Sequence, residues 1–276
     1  MRILNSERGA FIVSIIIVLF WTLITIIPLS IVVFGSLKSA RELALNPIGL
    51  PQVWQWGQYK KAFIDAHLLR ALGNSALLTV TSLFFLVIFG ASASYPLARR
   101  TKWAPYSYFF LSGIMVPFQL AMLPLYRLMT KLNLINTHVG VIFIYIAVSL
   151  PMTIFLYTGF VKGISSDLED AAKVDGATQF RMFWQIIFPL LRPATSTVII
   201  MNSISLWNDF FIVLLFLGKR EYRTLQLAMY SFIQQYSTRW GLVFAAVVLS
   251  MIPMIIVFMI LQKQFIKGLS AGAVKG

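Results

Sequence analysis

Long uncharged apolar stretches dominate the chain. Between consecutive charged residues, five windows run 9 to 37, 71 to 98, 103 to 126, 132 to 161 and 240 to 262, and a sixth, 193 to 218, holds a single acid, Asp209. Each is longer than the ~18 residues that a helix needs to cross the hydrocarbon of a bilayer. The pattern predicts an all-α integral membrane protein of six transmembrane helices, at about 11–35, 73–98, 105–127, 138–161, 194–217 and 241–262. They form one transmembrane domain over 1–276, with a polar loop at 162–193 and a tail at 263–276. An even number of spans puts both termini on one side. Arg2 and Arg8 precede the first window as in a signal peptide, but the apolar run exceeds the ~7–15 residues of such a peptide and lacks an Ala-x-Ala cleavage site. It reads as a retained helix.

Composition narrows the chemistry. At 59% hydrophobic and 12% charged residues, a water-soluble globule is excluded. The chain has no cysteine and two histidines, His67 and His138, so disulfides, thiolate catalysis and His/Cys metal cages lack raw material. The net charge of +14 reads as loop residues that orient the spans, not as a nucleic-acid surface. Arg99, Arg100 and Lys102 crowd the short loop 99 to 105, whereas five cations on the opposite side spread over 36 to 72. The termini are therefore expected in the cytoplasm.

Prolines fall within the expected spans at Pro28, Pro96, Pro117, Pro124, Pro151 and Pro253, each removing a backbone donor that lipid cannot replace. Pro117 and Pro124, two helical turns apart, would distort one face of the third span next to Gln119. A broken helix beside a cavity and a packing kink both answer to this pattern. Asp209 follows Asn208 two-thirds of the way along the fifth span. An in-span carboxylate costs at least ~2.5–3.5 kcal/mol and so faces a partner or water. A pathway residue, an inter-helix hydrogen bond and a proton-coupling acid remain open for it.

Of nine acids, four lie within nine positions: Asp167, Glu169, Asp170 and Asp175. This stretch reads as a short helix, with Ser166 and Glu169 as a capping box and acids at the positive helix end. Gly176 is a left-handed stop. A second helix follows from Gln179, with Phe180, Phe183, Trp184 and Ile187 as its buried stripe and Pro189 and Pro193 closing it. On the residues alone, the first helix is either a solvated face or a short helix seated in a partner's groove, with Ala171 and Ala172 allowing close approach.

The run Asp170-Ala171-Ala172, then Gly176, then Ile186-Ile187-Phe188-Pro189 resembles the EAA loop of ABC-importer permeases, with the spacing kept, Asp170 replacing Glu and Phe188 replacing Leu. Asn74-Ser75, Met115-Val116-Pro117, Pro124-Leu125-Tyr126, Leu150-Pro151 and Trp207-Asn208-Asp209-Phe210 are similar to the maltose-type carbohydrate branch of that family. The ending from Gly268 to Gly276 is similar to the tail of the shorter permease of each pair.

This resemblance implies a non-catalytic permease subunit in a bacterial or archaeal cell membrane. The implied partners are a second, different permease, two cytoplasmic ATPase subunits and an extracytoplasmic solute-binding protein that delivers a sugar. Glu169, Asp170, Ala171, Ala172, Asp175 and Gly176 would form the ATPase-coupling element, and Gly268, Gly272 and Lys275 a tail at the ATPase interface. Asn208, Asp209 and Gln119 would serve the pathway or its gate. No cofactor is expected on this chain. It lacks a phosphate loop, Gly218-Lys219-Arg220 being the nearest fragment, so ATP and magnesium would bind the ATPase partners. A secondary transporter using Asp209 and an ABC permease for a non-sugar solute are the alternatives. An intramembrane hydrolase would need a second in-span acid or a Ser/His pair.

Overall fold

The computed structural model describes residues 2–233 and 239–273, all helix and connecting loop, with no strand among them. In chain order the α-helices are α1 (Arg2–Gly35), α2 (Ala40–Leu45), α3 (Gly57–Asp65), α4 (Leu68–Arg99), α5 (Ala104–Met115), α6 (Phe118–Lys131) and α7 (His138–Gly163). There follow α8 (Asp167–Val174), α9 (Gln179–Met182), α10 (Phe188–Leu190), α11 (Arg192–Trp207), α12 (Phe211–Phe216), α13 (Leu225–Tyr230) and α14 (Trp240–Ala273). Four helical stretches, Phe11–Gly35, Leu68–Arg99, His138–Gly163 and Trp240–Ile260, are each long and apolar enough to cross a membrane unbroken.

The third and fifth expected spans are not single helices. The third is cut at Val116 and Pro117, both extended, and its two halves, α5 and α6, meet at 96°. The ring of Pro117 drives the preceding residue out of the helical region, so the helix ends there. Pro28, Pro96, Pro124, Pro151 and Pro253 sit inside continuous helices, so only one of the six prolines breaks its span. In the fifth, α11 stops at Trp207, Asn208 and Asp209 form the break, and α12 resumes at Phe211. A further bend of 70° separates the Gln179–Leu190 stretch from α11. The last helix runs on to Ala273, well past 262, because an apolar helix once nucleated propagates at little cost.

The chain forms two compact units, 1–69 with 228–252, and 70–227 with 253–276. In the first, α1 is exposed from Phe11 to Leu29, as a lipid-facing helix is. Lys38, fully buried, donates its ammonium to Asn46 O at 2.7 Å, and Tyr59 bonds Ser36. Trp54, Trp56 and Tyr59 stack in sequence, with Trp54 and Trp56 exposed.

The second unit has two cores along α4 and α7. One gathers Leu78, Leu86, Ile144, Tyr145, Ile212 and Phe216, with Phe118 and Phe210 packed against it, so both span breaks rest on the same apolar cluster. The other gathers Tyr95, Tyr157, Val161, Met182 and Ile187, and takes in Ala172 of α8. Asn74 donates to Glu221 O and Arg223 O at 2.9 and 3.0 Å, and Ser75 accepts from Leu225 N, clasping the start of α4 to the loop before α13. Asn136, in a left-handed conformation, donates its N–H to Phe216 O and accepts from Lys219 N, joining the loop before α7 to the end of α12.

Candidate functional site

The acids of α8 divide by face. Asp167, Asp170, Ala171 and Val174 share the outward face at i, i+3, i+4 and i+7, and all are exposed, Val174 at 88%. Asp170 is bridged by Lys173 at 2.7 Å on the surface, an interaction that solvent screens. Glu169 and Ala172 point the other way. Glu169 is 6% exposed; its Oε2 accepts from the Tyr95 hydroxyl at 2.9 Å and its Oε1 from Arg99 Nε at 2.5 Å. Arg99 also donates Nη2 to Ile164 O at 2.7 Å, so one guanidinium ties the end of α4 to both the helix and the turn leading into it.

This corrects two expectations. Glu169 does not complete a capping box with Ser166, whose side chain makes no cap hydrogen bond; Ser165 Oγ instead accepts from Asp167 N. Nor do Glu169 and Ala172 lie on a face that a partner would touch. A carboxylate held by a guanidinium and a phenol gains an ion pair and two charge-assisted hydrogen bonds, where one backbone N–H would supply a single one. Arg99 and Tyr95 were missed in the sequence because they lie 70 and 74 positions from Glu169.

Gly176 ends the helix at φ +76°, as expected, with nothing near the position a side chain would take. Thr178 then caps the next turn, its hydroxyl accepting from Arg181 N. The stretch Phe183–Ile187 is a π-helical turn: Pro189 has no N–H to bond four residues back, and Phe188 N–H donates to Phe183 O, five back. Phe183 and Ile187 are buried and Trp184 half-buried, but Phe180 is 75% exposed and not part of the packed stripe. Asp167, Asp170 and Asp175 thus lie exposed on this loop beside the apolar Ala171, Val174 and Phe180.

At the break in the fifth span, Asp209 caps α12. Its carboxylate accepts from Val213 N at 3.3 Å and Ile212 N at 3.5 Å, while the Tyr145 hydroxyl of α7 donates to Oδ2 at 3.0 Å. Asn208 is exposed; its Nδ2 donates to Ile204 O, and its Oδ1 accepts from Gln226 Nε2 at 3.1 Å. Gln119, exposed on the first turn of α6, makes no hydrogen bond among the described residues. Irregular backbone at membrane depth occurs where it is buried in protein or lines a water-filled cavity.

Gly268 and Gly272 lie in the last turns of α14 instead of a loose tail, and Lys275 is outside the described residues. No group of three or more His, Asp or Glu side chains that could hold a metal occurs among the described residues.

Comparison with known proteins agrees with this architecture. The chain is 39% identical, over 91% of each sequence, to the melibiose/raffinose/stachyose import permease protein MelC of Bacillus subtilis (strain 168). It is 36% identical to the multiple sugar-binding transport system permease protein MsmG of Streptococcus mutans serotype c, covering 92% of this chain and 93% of that one. Its fold superposes with a TM-score of 0.79 on a chain of a bacterial ABC transporter involved in the import of the acidic polysaccharide alginate, covering 94% of this chain and 98% of that one at 24% identity. Residues 4–271 match the family described as the binding-protein-dependent transport system inner membrane component, and the chain belongs to that family of multi-pass, non-catalytic permease subunits.

Proposed function

We propose that this chain is one of two different permease subunits that form the channel of an ATP-driven importer for a sugar or oligosaccharide. It works with two ATPase subunits that hold ATP and magnesium, and with a solute-binding protein on the far side. Its termini lie in the cytoplasm of a bacterial or archaeal cell. The observation that carries the reading is α8, a short helix clamped to the end of α4 through Glu169 with an acidic face left open. Asp170, Ala171 and Asp175 would seat in the ATPase, and Glu169 would pass the motion to the span through Arg99. Closure of the ATPases then moves α8 and α4 together, biasing the two access states. The sugar class rests on what the relatives are named for; Gln119 and Asn208 offer the amide donors and acceptors that hydroxyls take up.

The test is Asp170→Lys, which reverses a charge on the open face and touches nothing in the core. Its expected result is loss of co-purification with the ATPase while membrane insertion stays normal. Gly176→Val has a different cause: a left-handed backbone costs a residue with a side chain roughly 1–2 kcal/mol, so the turn shifts and α8 is displaced. Uptake should be abolished with the chain still inserted. If both variants import at wild-type rates, α8 is not the coupling element.

For the tail, deletion of 268–276 removes the final helical turns and the residues beyond. Transport or assembly should fall without loss of the last span. Unchanged stimulation of ATP hydrolysis in the truncated complex would remove the tail from the ATPase interface.

A further inference from the structure

From the groove between α5 and α7 we infer a binding site for one anionic phospholipid, on the membrane side that carries the coupling loop. The two helices touch at Gly113, where a Cβ would stand 3.0 Å from Pro151 Cγ, and a wedge of open space lies between them, lined on one side from α5 and on the other from α7. The wedge between them encloses about 140 Å³. Phe110 and Leu111 of α5 and Pro151 and Phe155 of α7 line it, an apolar slot suited to an acyl chain. Its open end carries Ser107 and Lys162.

Two polar groups there lack partners. Thr158 is 8% exposed and its hydroxyl, buried in the wall of the slot, has no hydrogen bond, whereas Thr153 on the same helix donates to Ser149 O at 2.8 Å. A hydroxyl in a membrane helix ordinarily bonds back to the preceding turn. Lys162, four residues on and therefore on the same face, makes no ion pair and no hydrogen bond among the described residues. Its position in the last turn of α7 places the ammonium at headgroup level. A phosphodiester would meet Lys162, with the covered Thr158 hydroxyl turning out of the wall to donate to a glycerol ester oxygen and the chain filling the slot. Gly159 also lines the slot, and a side chain there would enter open space, its Cβ meeting nothing within 4 Å. Lys162 lies outside the coupling face and the span breaks, so the inference stands apart from the transport reading.

The test is native mass spectrometry of the full-length chain in a mild detergent, with dioleoyl phosphatidylglycerol or dioleoyl phosphatidylcholine added. Wild type should retain the glycerol lipid over the choline lipid by about fivefold or more, the factor one lysine contributes at an anionic surface. Lys162→Gln should erase that preference, Thr158→Val should lower retention of both lipids, and Gly159→Leu should exclude both by filling the slot. Lys102→Gln, a cation that does not line the slot, should change nothing. Each variant is compared by circular dichroism, so that loss of lipid is separated from loss of fold. Equal retention in wild type and Lys162→Gln would overturn the proposal. Displacement of the lipid by excess inorganic phosphate would do so too, marking a free-anion site. Because the chain has no native cysteine, Gly159→Cys provides an independent check in the assembled transporter. Alkylation by a lipid-soluble maleimide is expected, and a cross-link from this cysteine to the second permease would assign the groove to that subunit instead.

Discussion

Arg99→Ala should abolish uptake by the assembled transporter while the chain still inserts in the membrane. The substitution leaves the Glu169 carboxylate 6% exposed with only the Tyr95 hydroxyl as partner, and frees Ile164 O as well. Removing one member of a buried ion pair costs about 3–5 kcal/mol, of the same order as the whole stability of a modest domain. The nearest relief is local: α8 leaves its seat and lets water reach the carboxylate. The bundle survives and the lever is lost, so ATP hydrolysis should continue without stimulation by substrate. Arg99→Lys keeps the charge but loses the planar fork that reaches Glu169 and Ile164 at once, and should recover only part of the uptake. Glu169→Gln keeps one acceptor and should fall between. Uptake and ATPase stimulation, measured beside the amount of chain in the membrane, check this order. Normal coupling in Arg99→Ala would show that α8 does not act through α4.

Asp209 gives the second large effect, and its two substitutions should differ. Asp209→Asn retains an oxygen that can cap one N–H of α12, but its amide offers the Tyr145 hydroxyl no second carboxylate oxygen. Transport should drop and survive. Asp209→Leu removes the cap, worth about 0.5–2 kcal/mol, and strands the Tyr145 hydroxyl in the core at a further cost of about 1–3 kcal/mol. The break in the fifth span then has nothing to fix it, and uptake or assembly should fail. Tyr145→Phe isolates one part of this network and should resemble the Asn variant. A dead Asn variant would return Asp209 to the role of proton carrier, since that role needs a group that titrates.

The four unbroken apolar helices were legible because an uncharged run of this length has few other fates, and Gly176 because a helix stop in left-handed conformation wants glycine. The failures have physical causes. Ser166 and Glu169 satisfy the local spacing of a capping box, but Arg99 and Tyr95 offer the carboxylate a stronger alternative that only tertiary structure brings near. Phe180 continues the i, i+3, i+4, i+7 pattern, yet the wide turn at Phe183–Ile187 rotates what precedes it away from the packed face. The break at Asn208 and Asp209 is concealed by Phe210 to Leu217, whose apolarity looks the same in one long helix or in two. Among the pathway candidates, Asp209 is bound up in capping and packing and Asn208, though exposed, is bonded to Ile204 and Gln226, while the Gln119 amide stays open.

In the proposed cycle this permease moves sugar by the work of ATPase subunits and not by an ion gradient. Proteoliposomes holding the permease pair and ATPases, with the solute-binding protein outside and ATP inside, would be offered a panel of labelled sugars and oligosaccharides, with and without a protonophore. Uptake that requires ATP, requires the binding protein and is indifferent to the protonophore is the expected result. Uptake that proceeds without ATP and collapses with the proton gradient would contradict it.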